Sequence, residues 1–121
     1  MVEGPLVSVL IAAFNEEGHV AGCLSSLAAQ TYRPIEILVL DDGSTDRTVA
    51  IARAISGVTV VSLPHGGKAR ALNLGADKAR GEVLLFLDAD MTFTPTYVEH
   101  MVRPILDGRA TGTSHATELV A

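Results

Sequence analysis

Val7 to Phe14, Ile35 to Leu40, Val58 to Leu63 and Val83 to Leu87 are four short apolar runs, rich in Val, Ile and Leu and mostly without polar alternation. Such runs read as strands covered on both faces, the habit of parallel sheets. A helical pattern follows each one. Val20, Leu24, Leu27 and Ala28 share one helix face, and Ile51, Ala52 and Ile55 another. Ala69, Leu72, Ala76 and Ala79 form a third stripe, and Val98, Met101, Val102 and Ile105 a fourth, started by Thr94 and Pro95. Strict alternation of strand and helix predicts an α/β fold, a doubly wound, mostly parallel sheet. Right-handed crossovers then bring all four strand C-termini to one edge, where open α/β sheets bind their ligands.

The 121 residues suffice for one domain with one core, and no repeat, low-complexity tract or linker divides them. Residues 1–121 are therefore read as a single domain. The tail from Gly108 to Ala121 is small and polar, takes no element assignment, and stops as if cut. An apolar share of 48% with 19% charged residues fits a compact chain rather than a disordered one. The net charge is −5 and the nine Lys and Arg are scattered, which argues against nucleic acid as the main partner. A phosphate-bearing ligand would need backbone N–H groups or a bound cation to offset that charge. Cys23 is the only cysteine, so no internal disulfide forms and a reducing compartment fits best. His19, His65, His100 and His115 lack zinc-ligand spacing. No apolar run approaches the roughly 18 residues of a membrane span, and the N-terminus lacks a signal-peptide pattern. The expected setting is cytoplasmic, with any membrane association supplied by a missing part or a partner.

The loops at the functional edge carry the polar residues. Ala13-Phe14-Asn15-Glu16-Glu17 follows the first run, and Asp41-Asp42-Gly43-Ser44-Thr45-Asp46 the second. His65-Gly66-Gly67-Lys68 through Asn73 follows the third, and Asp88-Ala89-Asp90 the fourth. Asn15, Ser44 and Asp46 each also suit a plain helix-capping role. Capping does not explain Asp41, Asp42, Asp88 and Asp90 at one edge. Two like charges ~4 Å apart repel by ~4 kcal/mol at an effective dielectric of 20. A divalent cation relieves that cost, and hard oxygen ligands suit Mg2+ or Mn2+, which also bridge phosphates. A phosphorylatable receiver would place an acidic pair after the first strand, where Ala-Phe-Asn stands. Dinucleotide binding would need Gly-x-Gly-x-x-Gly there. A nucleotidyltransferase would show a Gly-rich basic loop at the same point.

The segments VSVLIAAFNEE, EILVLDDGSTDRT, GGKARALNLGADKARGE and LLFLDADM, in this order and spacing, resemble the family-two glycosyltransferases, inverting enzymes of the GT-A fold. The resemblance covers roughly residues 6 to 106. Its GKARALN element is most similar to the branch of processive polysaccharide synthases. An Ala stands where the family often has Pro before the aromatic-Asn-Glu motif, a position that contributes mainly backbone.

The resemblance implies a Rossmann-like nucleotide-binding topology and a nucleotide-diphosphate sugar donor, with UDP-sugar the expected one. It implies that Asp42 pairs with the uracil edge with support from Asp41, and that Ala13, Phe14 and Glu16 frame the ribose and base. Lys68 and Asn73 would lie near the pyrophosphate or base. Asp88 would contact the ribose or the metal's water shell, and Asp90 would bind the Mg2+ or Mn2+. Gly43 serves a turn and Gly75 close helix packing. Cys23 and the histidines read as structural or incidental. The acceptor would be a saccharide or lipid.

Inverting transfer also needs a general base on the acceptor hydroxyl. The family carries it in a later acidic segment, followed in processive members by Gln-x-x-Arg-Trp and membrane helices. None of these precedes Ala121, and nothing around the one late acid, Glu118, matches. The expectation is a donor-binding part without its acceptor half. The other reading is a non-catalytic nucleotide-sugar-binding module, or one part of a split enzyme. The end after Leu119 is expected to leave a sheet edge uncovered and to favour a homo-oligomer.

Overall fold

The computed structural model describes residues 2–107 and, for the backbone alone, 118–120. His115 and the Glu118 side chain lie outside that description, as does most of the tail beginning at Gly108.

Four parallel strands, β1 (Val2–Ala13), β2 (Tyr32–Asp41), β3 (Val58–Ser62) and β4 (Val83–Asp88), alternate with helices α1 (Val20–Ala28), α2 (Thr48–Arg53), α3 (Lys68–Lys78) and α4 (Tyr97–Leu106). A short fifth strand, β5 (Glu118–Val120), completes the order β3-β2-β1-β4-β5. The fold is the expected doubly wound α/β sheet. β1 is central, and the chain reverses direction across it: β2 and β3 build outward on one side, then α3 carries the chain back to β4 on the other. The switch point therefore lies between the C-terminal ends of β1 and β4.

Alternation along β1 explains the layers. Val7, Val9 and Ile11 face one core with Val20, Leu24 and Leu27 of α1 and Val98 and Val102 of α4; Ile51 of α2 packs there too. Leu10 points to the opposite face, against Leu38, Leu40 and Ala71 of α3. Both faces are covered, which is why the strand runs hardly alternate in polarity. Gly75 sits where α3 meets the sheet. A Cβ there would stand 2.7 Å from Leu10 Cδ2 and 2.8 Å from Leu40 Cγ, so only glycine allows this approach. Gly43 takes φ +81° in the loop after β2, the turn conformation expected of it.

Three local expectations are corrected. Residues 118–120, in the tail that took no element assignment, form β5 at the sheet edge, with Leu119 paired antiparallel to Leu85. The triplet Glu118-Leu119-Val120 is too short to read as a strand without its partner. α4 starts at Tyr97 rather than at Thr94 and Pro95, because the Tyr97 N–H closes a turn onto the Thr94 carbonyl first. Asn15 and Ser44 cap no helix. They bond each other's loops: the Asn15 N–H donates to Ser44 Oγ at 2.9 Å, and the Thr45 N–H to Asn15 Oδ1 at 2.8 Å. Asp46 does satisfy the start of α2, accepting the Thr48 N–H at 2.9 Å, and also takes the Glu17 N–H at 3.2 Å.

Candidate functional site

Strand register sets the floor of the site. Ala12 lies opposite Asp88 across β1 and β4, and Ala13 opposite Asp41 across β1 and β2. The strands thus deliver their first loop residues to one level. A cleft of about 330 Å³ opens there, a volume within the usual range for small-ligand sites. Ala13, Phe14, Glu16, Asp42, Lys68, Asp88 and Asp90 line it together with Ala12 and Ala89. Of the residues singled out from sequence, Asp41 and Asn73 do not line it. Asp41 is buried behind the cleft, where one carboxylate oxygen accepts the Ser44 N–H at 3.0 Å and the other is buried without a partner among the described residues. Asn73 is exposed on α3.

The loop from β1 is held by the loop from β2. The Glu16 N–H donates to Thr48 Oγ1 at 2.8 Å, and Asn15 takes a positive φ of 52° while bridging to Ser44 and Thr45. Small polar residues suit this crossing because they satisfy backbone groups that neither loop can satisfy alone. Phe14 is left 43% exposed at the rim, its ring 4.5 Å from that of His65.

Asp42 binds the loop after β3. Its Oδ1 accepts the Gly66 N–H at 2.9 Å and the Gly67 N–H at 3.2 Å, and its Oδ2 lies 3.1 Å from His65 Nδ1. The Gly66 N–H, reinforced by Gly67 and His65 against the cost of burial, holds the Asp42 carboxyl below the usual carboxylate range. His65 also reaches the Asp42 carbonyl at 2.9 Å. The sequence marks His65 only as structural or incidental, and these contacts make it structural. Its place directly before Gly66-Gly67 was the available signal, but the approach to Phe14 and Asp42 exists only once β2 and β3 pair.

The Lys68 ammonium donates to Asp88 Oδ1 at 2.5 Å. Asp90 is exposed and has no hydrogen-bond or ion-pair partner among the described residues. Cys23 lies beneath these acids, buried, its thiol 3.7 Å from the Asp88 carbonyl. Burial, then the negative charges of Asp90, Asp88 and Glu16, push that thiol up to about 12. A buried thiol with a raised pKa is a poor nucleophile, in keeping with a structural Cys23.

Among the described residues no three His, Cys, Asp or Glu side chains form a metal-binding group. Asp88 and Asp90 nonetheless fit a hard divalent cation of the kind held by one or two carboxylates, with phosphate oxygens and water completing the shell. No helix among the described residues is long and apolar enough to cross a membrane.

The sequence profile described as glycosyl transferase family 2 matches residues 8–118. EpsH of Bacillus subtilis is 37% identical over 106 residues, covering 84% of this chain and 31% of that protein. The hyaluronan synthase of Pasteurella multocida is 32% identical over 117 residues, covering 93% of this chain and 12% of that protein. The chain thus spans about a third or less of the length of these relatives. Among solved structures, S. aureus TarS in complex with UDP-GlcNAc superposes with a TM-score of 0.80 at 27% identity, over 88% of this chain and 32% of that one. Glucosyl-3-phosphoglycerate synthase from Mycobacterium tuberculosis, in complex with Mn2+, UDP and glucosyl-3-phosphoglycerate, gives 0.73 at 34% identity, over 85% and 40%.

Proposed function

The chain belongs to glycosyl transferase family 2, near its processive-synthase-like members, and on that premise we propose that the β1–β4 cleft is the donor site of a metal-dependent, inverting glycosyltransferase. The donor is a nucleotide-diphosphate sugar, with UDP as the nucleotide. The carrying observation is the charge of the cleft: Glu16, Asp42, Asp88 and Asp90 line it, with Lys68 the single cationic side chain among the lining residues. A diphosphate enters such a cleft far more readily with a cation of its own. The UDP- and Mn2+-bound neighbours support that reading.

Asp90 and Asp88 would hold the Mg2+ or Mn2+. Bound there, the cation supplies Lewis-acid stabilisation of the leaving diphosphate. The exposed Phe14 ring, with the Ala13 backbone, frames the base, and Glu16 the ribose. Asp42 reads the base edge with Asp41 behind it, while Lys68 serves the diphosphate side; Asn73, outside the cleft lining, takes no role in it. Residues 1–121 are the donor-binding part. The acceptor, a saccharide or lipid, and its general base are assigned to protein outside this span, given the share of each relative that the chain covers.

Calorimetric titration with UDP tests this. Binding should tighten at least tenfold on adding Mn2+, and Asp90→Ala should abolish that gain while leaving metal-free binding intact. Equal affinity with Mn2+ and with chelator would remove the assignment.

A further inference from the structure

Lys68 and Asp88 meet inside the donor cleft, and their pairing bears on how that cleft is kept before a donor arrives. Lys68 is the first residue of α3, directly after the Gly66-Gly67 backbone that Asp42 holds through both N–H groups. That clamp sets where the Lys68 stem begins, and its ammonium ends 2.5 Å from Asp88 Oδ1. Asp88 lies opposite Ala12 at the end of β4, so its backbone position is fixed by the sheet. Asp90, two residues on, has no such partner among the described residues. One acid of the pair is neutralised from within the chain and the other is not.

We propose that Lys68 is a displaceable counter-ion for Asp88. It holds the carboxylate while the cleft is empty and gives it up when a divalent cation enters with the nucleotide diphosphate; the freed ammonium then turns to a phosphate oxygen. The inference rests on the donor-site reading above. An ammonium at Asp88 Oδ1 and a divalent cation ligated by the same carboxylate at about 2.0–2.1 Å would stand within a few ångströms of each other, and that repulsion favours release of the ammonium. The exchange is easy because the pair is weak. Lys68 is 61% exposed and Asp88 35%, and ion pairs that open to water are worth at most about fivefold in an equilibrium constant. Lys68 thereby prevents the acidic cleft from repelling an incoming diphosphate, at a small cost in affinity for the bare cation.

Opposite signs in two titrations test the exchange. Without nucleotide, Lys68→Met should bind Mn2+ about two- to fivefold more tightly than the wild type, because nothing competes for Asp88. At saturating Mn2+ the same variant should bind UDP severalfold more weakly, because the ammonium is missing from the phosphates. Lys68→Arg, which keeps the charge, should stay close to the wild type in both. Mn2+ affinity unchanged or lowered in Lys68→Met, with wild-type UDP binding still metal-dependent, overturns the exchange alone. Wild-type UDP binding that ignores Mn2+ overturns the donor-site reading and the exchange together.

Discussion

Asp42 answers two demands at once. It lines the cleft, yet its carboxylate is already occupied by Gly66, Gly67 and His65, which makes it the anchor of the β3–α3 loop as well as a candidate base reader. Its lowered pKa gives the anchoring role a pH signature. A carboxylate with a folded-state pKa below its unfolded value stabilises the fold above the unfolded value, and that stabilisation is lost as pH falls through the folded one. With an unfolded value near 3.9, the loss begins below about pH 4. Asp42→Asn should therefore be less stable than the wild type at about pH 5, and the margin should shrink below about 4. Thermal unfolding of both proteins across that range checks it, and a margin that does not change with pH would show that the clamp contributes no charge-dependent stability. Glu36 and Asp46 also have lowered pKa values, but they are common to both proteins and cancel in the comparison.

At the scale of elements, the helix starts are supported from elsewhere in the chain. α4 has no cap from its own Thr96, and the buried Gln30 beyond α1 supplies one: its Oε1 accepts the Val98 N–H at 2.9 Å. Gln30 Nε2 donates to the Thr94 carbonyl at 2.7 Å and to that of Ser26 at 3.1 Å, so one side chain ties α1 to α4. Gln30→Leu keeps the volume and removes every partner. An orphaned buried N–H costs about 1–3 kcal/mol, and the variant should lose that much in a denaturant titration. A loss below about 0.5 kcal/mol would mean that Val98 finds another acceptor. At the far end of the sheet Ser8, Glu36 and Gly81 form a similar tie: the Ser8 hydroxyl donates to Glu36 at 2.6 Å and accepts the Gly81 N–H at 2.8 Å. That contact fixes where β4 enters, and hence the register that sets Asp88 beside Ala12.

For the whole molecule, the acids lining the cleft are all committed to the donor side in the proposed reading, so residues 1–121 should bind a UDP-sugar without passing the sugar on. A positioned general base contributes about 10²–10⁴-fold, and in-line placement of the acceptor more. A radiolabelled donor should give at most slow hydrolysis, and acceptor-linked product from this chain alone would reveal a base among residues assigned other roles. The α/β class, the four parallel strands and the loops that line the cleft were legible in the sequence, because a strand buried on both faces and a helix buried on one each leave a local apolar period. The DDGSTD and DAD segments were legible for the same reason, lying where those periods stop. The strand order was not. Nothing local states that β4 passes to the far side of β1, yet that crossing alone makes the cleft and sets Lys68 against Asp88. His65 beside Phe14, Gln30 on α4 and Leu119 against Leu85 were equally hidden. Each depends on backbone groups far apart in sequence finding partners after the sheet closes, and a residue carries no mark of a partner that only the closed sheet brings within reach.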